Sequence, residues 1–96
     1  MLNTILVDGV RKTCRIYDNG VTADQYTIAF RGYRDRPEFG GRMIYPYLAA
    51  GPQPSHPQGF GQHGESAIFL TGKHLGKRVA FESLPSDVKK FILYNI

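Results

Sequence analysis

Apolar and polar residues alternate along the first third of the chain, and this period of two predicts β-strands. A β-rich run at 5–7 is followed by a second run at 10–17, with Asp8 and Gly9 between them. An Asp-Gly pair accepts the positive φ angles of a two-residue type I′ turn, so we predict a β-hairpin here. We expect the second arm to be buried on one side only. Its two faces carry Val10, Cys14 and Ile16 on one side and Arg11, Thr13 and Arg15 on the other.

Two longer strands are predicted further along the chain. Tyr26, Ile28 and Phe30 fall on one face of the run 26–30, which is typical of a central strand. The run 42–48 also suits a strand, but Pro46 has no N–H for a ladder and therefore predicts an edge strand or an early end. The remaining predictions are a loop over 32–41 and short strands over 67–70 and 78–81.

The clearest helical pattern lies near the end of the sequence. Leu84, Val88, Phe91 and Ile92 recur at i, i+4, i+7 and i+8, the spacing of one helix face. Ser83 precedes this pattern and is predicted to be its N-cap. Pro85 is tolerated in a first turn, and Lys89 and Lys90 favour the C-terminal end of the helix dipole. The pattern predicts an amphipathic helix over 84–95.

Together these elements predict an α+β fold. We expect a small, mostly antiparallel sheet of about four to six strands, beginning with the N-terminal hairpin and covered by the one C-terminal helix. The 96 residues make a single domain, 1–96. Within that domain we predict an N-terminal hairpin extension over 1–24 and a long loop over 49–66, in addition to the helix.

Composition limits the cellular location more than it limits the function. Twelve basic and eight acidic residues give a net charge of +4, and the basic residues are scattered rather than grouped in a nucleic-acid-binding tail. The sequence lacks both an apolar run of about 18 residues and a basic leader, so we predict neither a membrane span nor a signal peptide. The single cysteine, Cys14, is expected to be a buried, inert thiol.

The segment 55–66 combines histidine, glycine and proline, a composition that predicts a loop. Its glycines at 59, 61 and 64 have the spacing of a dinucleotide-binding loop, but the flanking strand and helix that such a loop needs are not predicted. Imidazoles and a carboxylate also suit zinc. The candidate ligands are His56, His63, Glu65 and His74.

These polar side chains have a second interpretation, which we favour. A long irregular segment leaves backbone N–H and C=O groups without ladder partners, and side chains such as His56, His63 and Glu65 can satisfy those groups. We therefore predict that the loop is structural. We expect no bound metal or other cofactor, and the sequence contains no recognisable catalytic constellation.

Arginine and aromatic residues alternate between positions 30 and 42. This composition is typical of protein interfaces, and it also suits stacking on bases and contact with phosphates. Asp35 and Glu38 would repel phosphate, so of the two binding roles the pattern favours a protein partner over nucleic acid. A simple solvated loop without a binding role is an equal alternative to both. The candidate binding residues are Arg31, Tyr33, Arg34, Arg36, Phe39 and Arg42.

Two sequence blocks resemble a known group of proteins. The first block reads HPQGFGQHGE over 56–65, and the second follows the pattern HLGKR-x-x-F-x-x-LP over 74–85. In this order the blocks resemble a family of small uncharacterised proteins encoded by phages, prophages and bacteria. The resemblance extends over about residues 25–92, outside the N-terminal hairpin. It implies the cytoplasm of a bacterial host and no particular activity.

The function expected from these observations is that of a non-enzymatic phage-type protein that binds a host protein and inhibits or modulates it. A CRISPR–Cas defence complex is one candidate target, in which case the chain is an anti-CRISPR protein. The first alternative is a small nucleic-acid-binding module. The second is a metal-binding domain or metal-dependent hydrolase built on the four candidate ligands. No membrane partner is expected.

Overall fold

An antiparallel sheet and one C-terminal helix make up the fold. The computed structural model describes residues 3–7, 10–20, 22, 24–30, 34–36, 42–66 and 68–95. The elements are β1 (Asn3–Val7), β2 (Val10–Asp18), β3 (Tyr26–Phe30), β4 (Arg34–Arg36), β5 (Arg42–Ala50), β6 (Gly61–Ser66), β7 (Lys77–Arg78) and α1 (Ser86–Asn95), with short 3-10 turns at Lys73–Leu75 and Phe81–Ser83. The sheet order is β1-β2-β3-β5-β4, with β6 also paired to β5 and β7 to β2. The predicted α+β class is confirmed.

The N-terminal hairpin forms as the sequence predicts. Val7 lies opposite Val10 in the ladder between β1 and β2, which leaves two residues for the connection. The conformation of Asp8 and Gly9 lies outside the described residues. Cys14 and Ile16 are fully buried while Arg11 is exposed, as the alternation of β2 predicts. Tyr17, on the opposite face, is also buried, so the prediction of a strand buried on one side only is wrong at this end of β2.

The predicted central position of β3 is also confirmed, since β3 lies between β2 and β5. Ile28 and Tyr26 are buried in the main core, and Phe30 packs against it. Thr27 and Ala29, on the other face of the strand, are buried as well, with 6% and 2% of their surface exposed. Both faces of the sheet are therefore covered at its centre.

Helix α1 covers the first of these faces. Val88 and Ile92 are fully buried and join Leu84 in the core cluster with the apolar residues of β2, β3 and β5. Burial of these side chains is the main stabilising contribution of the helix. In the described part of the chain, no helix is long and apolar enough to cross a membrane.

The helix begins two residues later than predicted, and Ser83 is not its cap. The Ser83 hydroxyl donates to the carbonyl of Ala80 at 2.6 Å, within the 3-10 turn. The N–H of Lys89 donates to the carbonyl of Pro85 at 3.1 Å, so the helical hydrogen bonds start at Pro85. A serine before an apolar periodic run does not distinguish a helix cap from a preceding 3-10 turn, because both use its hydroxyl.

The prediction that Pro46 ends β5 or confines it to an edge is wrong, because β5 continues to Ala50 between β3 and β6. The N–H of Gly51 donates to the carbonyl of Phe60 at 2.9 Å, so Gly51 and Phe60 form a hydrogen-bonded pair that continues the β5–β6 ladder. By alternation Pro46 and Glu65 form a non-hydrogen-bonded pair. The nitrogen of Pro46 therefore points away from β6, into the gap between the ladder to β3 and the ladder to β4.

Strands also form in two segments that were predicted to be loops. β4 lies inside the predicted loop 32–41, and β6 occupies 61–66, the last third of the predicted loop 49–66. The connection between β5 and β6 is therefore only 51–60. Glycine-rich composition was misleading for β6, because ladder hydrogen bonds to β5 compensate for the weak strand propensity of Gly61 and Gly64.

The predicted strand over 67–70 is wrong for its described residues. Residues 68–72, which we call the strap, cross the second face of the sheet instead. Tyr17 of β2 donates its hydroxyl to the carbonyl of Leu70 at 3.2 Å. A short apolar run indicates burial but not direction, and here the run packs across the sheet. The predicted strand over 78–81 is confirmed only at its start, in β7.

A buried asparagine connects the first strand to the segment that leads into the helix. The side-chain amide of Asn3 donates to the carbonyl of Val79 at 3.1 Å, and its carbonyl oxygen accepts from the N–H of Phe81 at 2.9 Å. Asn3 is only 8% exposed. The two bonds satisfy backbone groups that have no strand partner, so Asn3 fixes the approach to α1.

We expect Asn3→Ala to lower the free energy of unfolding by about 1–3 kcal/mol for each backbone group that it leaves buried and unpaired. Chemical denaturation followed by circular dichroism measures this loss. Thr4→Ala is the matched control, since Thr4 is the exposed neighbour of Asn3 on the same strand. Equal and small losses for both variants would show that the asparagine bonds contribute little.

Candidate functional site

The strand register brings three of the predicted binding residues together. Arg36 lies opposite Arg42, and Arg34 lies opposite Ile44. Because every second residue of a strand lies on the same face, positions 34, 36 and 42 share one face of the β4–β5 ribbon. We call these positions the arginine face. The other predicted binding residues, Arg31, Tyr33 and Phe39, lie outside the described residues.

The same register separates acidic from basic positions. Asp35 lies opposite Met43, so its position belongs to the other face of the ribbon. In the described part of β4 and β5, the arginine face therefore includes no position with a carboxylate. The sequence alone suggested that Asp35 would repel phosphate from the arginines, and the alternation of the strand weakens that argument.

The structure does not bring the candidate metal ligands together. His56 lies in the loop 51–60, His63 and Glu65 lie on β6, and His74 lies in the 3-10 turn Lys73–Leu75. A group of three or more His, Cys, Asp or Glu side chains that could hold a metal ion does not occur among the described residues, which include all four candidates.

The loop 51–60 is organised by its own hydrogen bonds. The ring nitrogen Nδ1 of His56 accepts from the N–H of Gln58 at 3.1 Å, and the backbone of His56 bonds to Gln53 and Gly59. The predicted structural role is thus confirmed for His56. It is wrong for His63, which is exposed on β6 and makes no side-chain hydrogen bond to the described residues.

The glycines of the dinucleotide-like spacing serve side-chain packing instead. A Cβ on Gly61 would lie 2.7 Å from the ring of Phe91, and one on Gly64 would lie 2.5 Å from the hydroxyl of Tyr47. Each glycine therefore gives an aromatic ring room to lie directly over β6. Both residues belong to a strand rather than to a loop before a helix, so the phosphate-loop geometry is absent from this described segment.

A shallow cleft of about 370 Å³ lies between the loop 51–60 and α1. Sequence reasoning missed it, because it forms between segments about 30 positions apart. The sequence signal is Tyr94, an aromatic residue outside the buried helix face, which is 89% exposed. The cleft is lined by Pro54, Ser55, Asp87, Lys90, Phe91, Tyr94 and Asn95.

One residue of the cleft holds the loop against the helix. The carboxylate of Asp87 accepts from the hydroxyl of Ser55 at 2.5 Å and from its N–H at 3.0 Å. These two bonds, and then the charge of Lys90, hold the pKa of Asp87 below its ordinary value. The carboxylate is therefore ionised and occupied at neutral pH, which makes it a structural group rather than an acid catalyst.

An arginine and two aromatic rings hold the strap on the second face of the sheet. The guanidinium carbon of Arg15 lies 4.4 Å from the centre of the Phe69 ring, within the range of a cation–π interaction. Phe69 in turn stacks on Tyr45, with ring centres 6.1 Å apart. The Nε atom of Arg15 is buried and makes no hydrogen bond to the described residues. Arg15 thus serves packing here.

The only cysteine is unsuited to nucleophilic chemistry. Cys14 is completely buried in the main core. Burial raises the pKa of its thiol to about 12. The reactive thiolate is therefore negligible near neutral pH, and the predicted inert thiol is confirmed.

The comparisons with known proteins leave the chain without an assigned family. No protein-family model, curated protein or solved structure shows significant similarity to it. The resemblance to small phage and bacterial proteins therefore stays a prediction. Any functional conclusion has to come from the surfaces of the molecule.

Proposed function

We propose that this chain is a non-enzymatic protein that binds an acidic surface of another protein through its arginine face and thereby modulates that protein. The observation that carries this proposal is the register that places positions 34, 36 and 42 on one face of the β4–β5 ribbon. Guanidinium groups bind carboxylates in a bidentate manner. The net charge of +4 adds a general attraction to acidic partners.

The size of the arginine face favours protein over nucleic acid. Proteins that bind DNA tightly by charge make about 6–10 phosphate contacts, whereas this face contains three arginine positions. A protein interface needs fewer charges, because a few arginine or aromatic residues provide most of its binding energy. The phage-type resemblance adds that the partner is a bacterial host protein, with a CRISPR–Cas defence complex as one candidate.

Nucleic-acid binding is the second candidate function. It is favoured by the separation of Asp35 from the three arginine positions, which leaves the described arginine face without a repelling carboxylate position. If the chain binds nucleic acid, the logarithm of Kd rises linearly with the logarithm of the salt concentration. Three phosphate contacts predict an affinity loss of about 40-fold between about 50 and 200 mM salt.

Two triple variants test the proposal. Arg34→Gln, Arg36→Gln and Arg42→Gln together remove the arginine face. Lys73→Gln, Lys77→Gln and Arg78→Gln together form the matched control, because these three residues are exposed and the net charge changes by the same amount. Each protein is used to capture partners from nuclease-treated lysate of the bacterial host. We expect one stoichiometric protein with the wild type and the control, and none with the arginine variant.

A parallel measurement distinguishes the two functions. Fluorescence anisotropy with single-stranded and double-stranded DNA and RNA gives the affinity for nucleic acid as salt is raised. The proposal is overturned if the wild type captures no stoichiometric protein and binds nucleic acid with the steep salt dependence given above. It is also overturned if the captured protein binds both triple variants equally well.

A further inference from the structure

The connection between β2 and β3 contains the only Asn-Gly pair of the sequence, Asn19 and Gly20. The backbone nitrogen of a glycine is accessible to the preceding side chain, because glycine has no Cβ to shield it. Gly20 is exposed, and no atom of the described residues lies within 4 Å of the position that its Cβ would take. Asn19 is therefore followed by an unhindered backbone nitrogen that solvent can reach.

This pair of residues permits deamidation, the reaction that makes asparagine a thermolabile residue. The nitrogen of Gly20 gives its proton to solvent and forms a bond to Cγ of Asn19. The Cγ–Nδ2 bond then breaks, and the amide nitrogen takes up a proton and leaves as ammonia. Water opens the resulting succinimide ring at either of its two carbonyl carbons. The product at position 19 is therefore aspartate or isoaspartate, and water is the one co-reactant.

The folded connection holds the side chain of Asn19 against this reaction. Its Nδ2 donates to the hydroxyl of Thr22 at 2.8 Å and to the carbonyl of Asp24 at 3.3 Å, and its Oδ1 accepts from the N–H of Thr22 at 3.2 Å. The N–H of Asn19 also donates to the carbonyl of Gln25 at 2.9 Å. Because Cγ has to turn toward Gly20 and release Nδ2, the reaction requires these bonds to break first.

We infer that Asn19 is a modification site that the folded connection protects from deamidation and that local opening of the connection exposes. Local openings belong to the native-state equilibrium of proteins, and a slow reaction of the open form proceeds in proportion to the population of that form. The covalent change thus marks molecules whose β2–β3 connection has opened. The inference does not depend on the proposed function, because it involves neither the arginine face nor a partner.

The modified connection cannot close in the same way. A carboxylate at position 19 does not donate, so the hydroxyl of Thr22 and the carbonyl of Asp24 lose their donor. The Thr22 hydroxyl has one proton, which it already donates to the carboxylate of Asp24 at 2.6 Å. Isoaspartate adds a methylene to the main chain where space is limited, since a Cβ on Gly76 would lie 2.5 Å from Cα of Asn19. Both products therefore favour the open connection.

Mass spectrometry of the full chain after incubation at mildly alkaline pH tests the inference. Wild-type samples in native buffer and in urea are compared over time, and electron-transfer fragmentation distinguishes isoaspartate from aspartate at each asparagine. We expect Asn19 to be modified first in urea, and at least about tenfold more slowly in native buffer, because the hydrogen bonds of its side chain close the site. Gly20→Ala should suppress the reaction in urea, because its methyl group shields the attacking nitrogen.

A threonine variant tests the protection itself. Thr22→Ala removes the hydroxyl that accepts from Nδ2 of Asn19. We expect deamidation in native buffer to become about 2- to 10-fold faster, the effect of one hydrogen bond on the opening equilibrium, with an unchanged rate in urea. Thr4→Ala is the matched control, since Thr4 is also exposed but lies on β1, and its rates should equal those of the wild type.

Asn19→Asp tests the effect of the product. We expect its urea midpoint to lie about 0.5 M below that of Gln53→Glu, which makes the same change of charge at an exposed position of the loop 51–60. Equal midpoints would show that the modified connection closes as before. The inference is overturned by equal deamidation rates in native buffer and urea, by earlier modification of Asn3 or Asn95 in urea, or by a Thr22→Ala rate no faster than that of the wild type.

Discussion

Ile92→Ala is expected to lower the free energy of unfolding by about 2–5 kcal/mol. Ile92 is fully buried and belongs to the core cluster between α1 and the sheet. The change removes buried methyl and methylene groups and leaves a cavity that the helix fills only in part. Domains are commonly stable by about 5–15 kcal/mol, so the loss is a large share of the total. Urea or guanidinium denaturation at 25 °C measures it.

Leu93→Ala is the matched control for this prediction. Leu93 follows Ile92 in the same helix, but it is 44% exposed and lies outside the core cluster. Alanine is at least as good a helix former as leucine, so the expected change is within about 0.5 kcal/mol. If both variants lost the same stability, the helix would present a different face to the sheet from the one described above.

Gly76→Ala is expected to lower the free energy of unfolding by about as much as Ile92→Ala, for a different physical reason. Gly76 has φ of +91°, and a Cβ there would overlap the backbone carbonyl of Asp18 at the end of β2. The backbone conformation, with φ of +91° and ψ of −157°, is one that almost only glycine adopts and costs an alanine about 1–3 kcal/mol, and the overlap adds about 1–3 kcal/mol, because a main-chain atom has to shift. We therefore expect a total loss of about 2–6 kcal/mol in the same denaturation measurement.

Gly20→Ala is the control without a close contact. Gly20 also has a positive φ, +75°, but no atom lies within 4 Å of the position of its Cβ. Only the conformational cost of about 1–2 kcal/mol applies. The larger loss expected for Gly76→Ala reflects the close contact with Asp18 together with the glycine-only conformation at Gly76. Equal losses would mean that the chain at Gly76 moves away from β2 at little cost.

Most of the elements that sequence periodicity predicted are present. Alternation at Cys14 and Ile16 and at Tyr26 and Ile28 identified the faces of β2 and β3 that belong to the main core, because every second residue of a strand lies on the same face. It did not predict that the opposite faces are buried as well at Tyr17, Thr27 and Ala29. The spacing from Leu84 to Ile92 identified the helix, since one apolar stripe has to meet the sheet. These patterns are local, and each is set by the geometry of one element.

Errors arose where burial depended on a distant segment. Phe91 packs against the core cluster as the helix pattern predicts, but its ring is only half-buried because it also lies over Gly61 at the edge of the sheet. The apolar run that contains Phe69 was predicted to be a strand, and it instead crosses the sheet above Arg15 and Tyr45. Both outcomes depend on which chain segment reaches the sheet first, and this information is not present in a local window of residues.

The candidate sites divide in the same way. Residue types alone identified the arginine-rich segment and the candidate metal ligands, because guanidinium, imidazole and carboxylate groups each form only a few kinds of interaction. The sequence by itself thus determined the fold class, the buried faces and the inventory of chemical groups. Only the tertiary structure decided which groups meet. Strand register, a non-local property, placed three arginine positions on one face of the β4–β5 ribbon. The paths of the loops left His56 and His74 away from His63 and Glu65, so that the described candidates form no metal site.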